Sequence, residues 1–182
     1  MALVFSIGIN DIKEPTRKNP FYVTWHSMLR RCYDPKLHER NPAYKGATVC
    51  DEWALFSTFK KWMLDQDWQN KHLDKDILVE NNSVYSPNTC IFVPKHINNF
   101  FTDRKNHRGP YPVGTYFNTK YQKYLAYCRN PISKKKEYIG SYDCPKKAHL
   151  AWKAKKHQHA CMLASTQKDE RIIHALKTRY LE

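Results

Sequence analysis

Residues 110–152 contain three short runs in which aromatic and cationic side chains alternate, followed by a stretch with the pattern of a helix. Alternation with a period of two is typical of half-buried strands. The helix should begin near Pro145, because proline suits the first turn of a helix. It should extend to about residue 165, with a last helix over about 168–180. This part of the chain therefore predicts a three-stranded antiparallel sheet packed on a helix.

The alternation also predicts which side chains share a face of this sheet, because successive side chains of a strand point to opposite faces. The outer row contains Tyr116, Asn118, Lys123, Leu125, Tyr127, Arg129, Lys136 and Tyr138. The inner row, which should face the helix, contains Thr115, Phe117, Tyr124, Ala126, Cys128, Ile139 and Tyr142.

Such an outer row suits a DNA groove. Arg129 and Asn118 are the expected base readers, since arginine pairs with guanine and asparagine with adenine. Lysines are expected to contact phosphates, which adds affinity without sequence information. The predicted DNA-binding set is Tyr116, Asn118, Lys120, Lys123, Tyr127, Arg129, Lys136 and Tyr138. The alternative is a small sheet with a solvated cationic face.

The charge of the chain favours the same class of partner. The 182 residues include 31 Lys and Arg against 17 Asp and Glu, a formal net charge of +14. A polyanion, above all nucleic acid, is the expected partner, through counterion release from phosphates; the alternative is a basic protein without such a partner. The sequence has no run of about 18 apolar residues, so no membrane span is expected. Residues 1–10 are apolar but lack a basic start, so no signal peptide is expected.

The second half of the chain resembles the plant ethylene-response-factor (AP-two) DNA-binding domain. The residues that carry the resemblance are, in order, 114–117 (GTYF), 126–129 (AYCR), 138–143 (YIGSYD) and the helix positions 148–152 (AHLAW). The resemblance covers about 50 residues and implies that the sheet binds duplex DNA. The base-reading positions of the family differ here, so its target sequence cannot be transferred.

The first half predicts a mixed α and β domain. Helical spacing of apolar residues predicts helices over 21–33 and 51–65, and short apolar runs predict strands over 47–50, 73–79 and 90–93, followed by a short helix over 95–101. The polar, basic segment 103–110 predicts a domain boundary. The expected organisation is an α+β chain with domains at 1–105 and 106–182.

This half resembles phage-borne HNH (His-Me finger) endonucleases, many of which are homing enzymes. The resemblance lies in residues 25–33 (WHSMLRRCY), 44–53 (YKGATVCDEW), 73–76 (LDKD) and 85–90 (YSPNTC). It implies a ββα-metal-like nuclease domain in which a hairpin and a helix hold one divalent ion. Mg²⁺ is the expected ion, because it bridges a scissile phosphate while keeping several waters.

The resemblance also implies roles for individual residues. Asp74 corresponds to the ligand on the first strand and Asn98 to the ligand on the helix, with His96 and Asn99 as neighbours that could substitute. Asn88 or Thr89 falls where the family has its central asparagine.

The chain departs from the family at the general base, where Lys75 replaces histidine. A cationic lysine cannot accept a proton, although it could stabilise charge on the phosphate. His72 lies two residues before Asp74, and strand alternation puts both on one face with Asp76, so His72 is a replacement base and Asp76 a further ligand. The alternative is a solvated, charge-balanced strand.

Three cysteines and one histidine of this half have two alternative interpretations. A closed structural zinc site would use Cys32, His38, Cys50 and Cys90, although their spacing matches no short zinc module. Small buried residues that pack under Trp25 and Trp53 explain the cysteines equally well. With no secretion signal, the thiols are expected to be reduced.

The sequence as a whole predicts a site-directed, metal-dependent DNA endonuclease of the homing type, acting on duplex DNA as a monomer without an obligate protein partner or a membrane. The expected location is the cytoplasm of a phage-infected bacterium. The alternative is a catalytically inactive, sequence-specific DNA-binding regulator derived from such a nuclease, which Lys75 favours. RNA binding is a third possibility, since tyrosines stack on unpaired bases.

Overall fold

The structure, a computed structural model, describes residues 3–102 and 110–181. These residues form a mixed α+β chain that divides into two compact units, Met1–Lys95 and His96–Glu182. The predicted boundary at 105/106 falls among residues 103–109, which lie outside the described residues, and the division between the units comes earlier in the chain. None of the helices in the two described stretches has both the length and the apolar character that a membrane crossing needs.

The first unit combines three helices with two pairs of very short strands. Its elements are α1 (Pro20–Tyr33), α2 (Pro35–Arg40), β1 (Thr48–Val49), α3 (Phe56–Leu64), β2 (Lys71–Asp74), β3 (Val84–Tyr85) and β4 (Ile91–Pro94). Strand β1 pairs with β3 in parallel, and β2 pairs with β4 in antiparallel orientation.

Helix α1 confirms the predicted helix over 21–33. Asn19 starts it, because its Oδ1 accepts the backbone N–H groups of Phe21 (3.0 Å) and Tyr22 (3.3 Å). Its buried residues recur at helical spacing and are Trp25, Met28, Leu29 and Cys32. The indole of Trp25 donates a 2.7 Å hydrogen bond to the carbonyl oxygen of Trp53, so the two tryptophans lie at the centre of the core.

The second predicted helix is divided. A 3₁₀ turn covers Asp51–Ala54, and α3 covers Phe56–Leu64, with Phe56, Phe59 and Met63 buried. The apolar stripe of the sequence therefore forms core, as its spacing indicates.

The strand predicted over 73–79 is found as β2, which begins two residues earlier, at Lys71, and already ends at Asp74. Oδ1 of Asp74 accepts the backbone N–H groups of Asp76 (2.7 Å) and Ile77 (2.8 Å), which turns the chain out of the strand. Asp76 therefore follows β2, and the predicted row of three residues on one strand face ends at Asp74.

The second unit contains α4 from His96 onward (Lys95–Phe101), the strands β5 (Thr115–Asn118), β6 (Lys123–Arg129) and β7 (Lys136–Tyr142), and the helices α5 (Pro145–Ala164) and α6 (Glu170–Thr178). The strands form one antiparallel sheet in the order β5-β6-β7, and α5 packs on it. The predicted sheet on a helix is confirmed, and α5 begins at Pro145 as expected.

The register of β6 and β7 corrects one residue of the predicted inner row. Ala126 pairs with Gly140, but its neighbour Tyr127 pairs with Tyr138, so a β-bulge leaves Ile139 without an opposite residue. Gly140, rather than Ile139, lies opposite the buried Ala126. The bulge keeps Tyr138 level with Tyr127 on the outer face.

Candidate nucleic-acid interface and hairpin carboxylates

Three tyrosines and a lysine form a continuous row across the outer face of the β5–β7 sheet. The ring centroids of Tyr116 and Tyr127 lie 5.6 Å apart, and those of Tyr127 and Tyr138 lie 5.4 Å apart. Nζ of Lys136 lies 4.0 Å from the Tyr116 centroid and 4.1 Å from the Tyr127 centroid. Tyr116 is 50% exposed and Tyr138 is 58% exposed. We call this row, together with Arg129, the tyrosine face.

The tyrosine face holds positive charge in fixed positions. A cation within about 6 Å of an aromatic centroid is attracted by the ring quadrupole, so the two rings keep the Lys136 ammonium on the sheet. Arg129 lies directly opposite Lys136 in the register and is exposed. Its planar guanidinium can donate two parallel hydrogen bonds to a guanine or a phosphate.

Asn118 and two lysines of the predicted DNA-binding set have other contacts. Oδ1 of Asn118 accepts the backbone N–H groups of Lys120 (3.0 Å) and Tyr121 (3.2 Å). A bidentate contact with adenine needs the same oxygen, so Asn118 forms the β5–β6 turn rather than the predicted base contact. The Lys123 ammonium pairs with Asp143, and Nζ of Lys120 lies 5.3 Å from the Tyr121 centroid.

A buried polar network fixes the sheet to α5 on the opposite side. His159 is 1% exposed; its Nδ1 lies 3.4 Å from Sγ of Cys128, and its Nε2 lies 3.1 Å from Oε2 of Glu137. Glu137 also accepts hydrogen bonds from Asn130 (2.7 Å) and pairs with Lys155 (3.2 Å). Burial lowers the pKa of His159, and Glu137 opposes that shift.

The sequence pattern did not predict this network. Alternation places Glu137 on the inner side of β7, between the outer residues Lys136 and Tyr138. An acidic side chain on an inner face requires a polar or cationic partner. The sequence therefore indicates that Glu137 has a polar or cationic partner, but it does not show that the partner is His159.

In the first unit, Asp74 ends β2 as a mostly buried carboxylate. Burial raises the pKa of this carboxyl, and its two backbone hydrogen bonds oppose the shift. Oδ1 accepts both of these hydrogen bonds, and Oδ2 accepts neither of them. His72 is exposed and lies two residues earlier on β2, with Leu73 buried between them, so His72 and Asp74 share one strand face.

Lys75 does not project into solvent. It is 8% exposed, and its Nζ donates a 2.6 Å hydrogen bond to Oδ1 of Asp76 and a second one to the carbonyl oxygen of Asn82. The ammonium therefore neutralises Asp76 and fastens the loop after β2.

Arg31 of α1 provides a second cation beside this loop. Its guanidinium donates hydrogen bonds to the carbonyl oxygen of Leu73 (3.3 Å) and to the hydroxyl of Tyr85 (3.2 Å). Nζ of Lys75 lies 5.9 Å from the Tyr85 centroid. Two cations, Arg31 and Lys75, therefore lie beside the end of β2.

The residues predicted at the position of the family's central asparagine lie in the turn between β3 and β4. The hydroxyl of Thr89 donates to the carbonyl oxygen of Val84 (2.8 Å) and lies 2.8 Å from the hydroxyl of Ser86. Asn88 is exposed. Thr89 thus stabilises the turn, and Asn88 is the one of the two that faces solvent.

The predicted metal ligands divide between the two units. Asp74 and Asp76 belong to the first unit, whereas the exposed His96 and the half-buried Asn98 lie on α4 in the second. Within residues 3–102 and 110–181, no three or more His, Cys, Asp or Glu side chains are grouped so that they could hold a metal ion. A carboxylate pair still suits Mg²⁺, which proteins often bind through one or two carboxylates plus water and substrate phosphate.

The predicted zinc ligands are not assembled as a set of four. Cys32 and Cys90 are buried in the core, and Cys50 is partly buried against it. Nε2 of His38 lies 2.8 Å from the carbonyl oxygen of Arg31. Burial raises the pKa of the Cys32 and Cys90 thiols to about 12. These contacts favour the packing alternative for the cysteines.

Comparison of the chain with protein-family models, with curated proteins and with solved structures found no match. The tyrosine face and the carboxylates at the end of β2 are therefore the features of the chain that bear on its function.

Proposed function

We propose that the chain is a site-directed DNA endonuclease that binds duplex DNA through the tyrosine face and cuts it with the first unit. The observation that carries the proposal is the Lys136 ammonium held by the rings of the exposed Tyr116 and the half-buried Tyr127. The net charge of +14 supports a polyanionic partner. The resemblance to phage-borne nucleases supports action in the cytoplasm of a phage-infected bacterium, and one chain with a binding unit and a cutting unit can act as a monomer.

The tyrosine face suits a DNA groove because a sheet presents its side chains on a firm, nearly flat support. A β-ribbon fits the major groove of B-DNA. Arg129 would contact a guanine edge, and Lys136 would contact a phosphate without losing the entropy of a free lysine side chain. The tyrosine hydroxyls would donate hydrogen bonds to the sugar–phosphate backbone.

Cleavage is assigned to the end of β2. We propose that the β2–β4 hairpin is the strand pair of a ββα-metal-like nuclease element, with Asp74 and Asp76 of the first unit as the carboxylate ligands. A bound Mg²⁺ would polarise the scissile phosphate and stabilise its developing charge. The raised pKa of Asp74 suits a carboxylate whose charged form a cation would stabilise.

His72 would act as the general base. Its imidazole shares a strand face with Asp74 and is exposed, so a water beside a bound phosphate could lose its proton to it. Arg31 and Lys75 would keep the neighbourhood of the phosphate positive, while Lys75 also neutralises Asp76.

The second candidate is a DNA-binding regulator that does not cut. The observation that favours it is the position of Lys75, where the nucleases that the sequence resembles have their histidine base. Its ammonium is buried and bonded to Asp76 and to a backbone carbonyl, so it cannot accept a proton.

Nicking of supercoiled plasmid in Mg²⁺ tests the proposal. Asp74→Asn is the sharpest variant, since asparagine keeps the oxygen that accepts the two backbone hydrogen bonds and removes only the charge. Asp74→Asn and His72→Ala should abolish nicking, whereas Asp65→Asn and His174→Ala, at exposed positions elsewhere, should cut normally. Binding without nicking in Mg²⁺ or Mn²⁺ would establish the regulator, and absence of binding would reject both functions.

A further inference from the structure

The second unit contains a cleft of about 580 Å³ that adjoins the tyrosine face. Helix α4 contributes His96 and Asn99 to its wall, and the end of β6 contributes Arg129. Tyr116 belongs both to the tyrosine face and to the cleft. A ligand on the sheet therefore has direct access to this space.

Among the described residues, the lining of the cleft is cationic. Arg129, Lys134 and Lys156 line it, and the described residues of its lining include no carboxylate. Nζ of Lys156 donates a 2.9 Å hydrogen bond to the carbonyl oxygen of Phe100 and lies 3.5 Å from the centroid of that ring. The position of this cation is therefore fixed before any ligand arrives, which suits an anionic group such as a phosphate.

The cleft also has the features that a planar base requires. Tyr116 offers a half-exposed ring, and Phe100 and Trp152 contribute apolar surface. His96 and Asn99 are three residues apart on α4 and therefore lie on one side of the helix. Their imidazole and amide groups can donate and accept hydrogen bonds, as recognition of a base edge requires.

We propose that this cleft accepts one unpaired nucleotide of the DNA that the tyrosine face binds. Its phosphate lies among Arg129, Lys134 and Lys156, its base stacks against Tyr116, and its edge contacts Asn99. The inference rests on the proposed duplex binding and adds a preference for DNA in which a base is already out of the helix. Extrusion of a base costs least when that base has no partner.

The preference is measured as a ratio of two dissociation constants. Fluorescence anisotropy of the full chain compares a duplex with a single-nucleotide bulge and the fully paired duplex of the same sequence. We expect the bulged duplex to bind about tenfold more tightly, a gain typical of one base stacked on an aromatic ring. Equal binding of the two duplexes overturns the inference but leaves the proposed duplex binding intact. Failure to bind either duplex rejects the proposed function itself.

Variants of Asn99 assign the preference to the cleft. Asn99 is exposed on α4, so Asn99→Ala should fold normally and leave the affinity for paired duplex unchanged. It should reduce the preference for the bulge severalfold, and Asn99→Asp, which places a negative charge in the cleft, should abolish it. Lys95→Ala, on the same helix but not in the lining, is the matched control and should keep the full ratio. A ratio that survives both Asn99 variants contradicts the assignment.

Discussion

Gly114→Ala should destabilise the sheet that carries the tyrosine face. Gly114 has a φ of +81°, and an added Cβ would lie 2.1 Å from Cγ and Cδ1 of Trp152. The left-handed backbone costs an L-residue roughly 1–2 kcal/mol. Overpacking against a fixed ring adds about 1–3 kcal/mol. The free energy of unfolding of the second unit should therefore fall by about 2–5 kcal/mol.

Gly46→Ala is the matched control, because Gly46 has a φ of +86° but nothing within 4 Å of the added Cβ. It should cost only the backbone contribution of about 1–2 kcal/mol. Hydrogen exchange with mass spectrometry, in increasing urea, gives the stability of each unit from its own peptides. In a Trp152→Ala background the contact with the ring is removed and only the 2.7 Å contact with the Cβ of residue 152 remains, so Gly114→Ala should cost less than it does in the native background. Equal costs of the two alanine variants in the native background would refute the close packing of Gly114 on Trp152.

Three further predictions concern charge, pH and thiol chemistry. Lys136→Met should lower the slope of log K against log salt concentration by about one, measured by anisotropy on paired duplex, as expected for loss of one phosphate contact; an unchanged slope would remove Lys136 from the interface. The pKa of His159 is lowered from 6.5 in the folded chain, so its contribution to stability is complete above pH 6.5 and declines as the pH falls below that value. His159→Gln should flatten this part of the pH–stability curve, and an unaltered curve would show that His159 is not buried in neutral form. Iodoacetamide at pH 8 should modify Cys144 while Cys32 and Cys90, whose thiol pKa burial raises to about 12, stay protected until unfolding; rapid modification of all three would contradict the buried core.

Periodicity predicted the elements whose side chains have one apolar face. Helix α1 has its start marked by Asn19 and Pro20 and its core face by regularly spaced apolar residues. The strands of the second unit alternate over most of their length, so their outer row could be predicted residue by residue. The predicted inner row differed at Ile139, because the one-residue irregularity of a β-bulge has no periodic pattern.

Side-chain bonds to the backbone caused most of the differences. Asp74 ends β2 and Asn118 forms a turn, because each side chain accepts two backbone N–H groups that an extended strand would leave for a neighbour. Contacts between distant residues could not be predicted at all. The approach of Arg31 to Leu73 and of His159 to Glu137 depends on how elements pack, which spacing along one element does not contain.

The most direct test of the central claim is an NMR titration of the chain with a paired DNA duplex. We predict that the largest backbone amide shifts occur at the outer row of β6 and β7, at Tyr127, Arg129, Lys136 and Tyr138. If the amide resonances of these four residues do not shift while those of other residues do, the tyrosine face is not the DNA-binding surface.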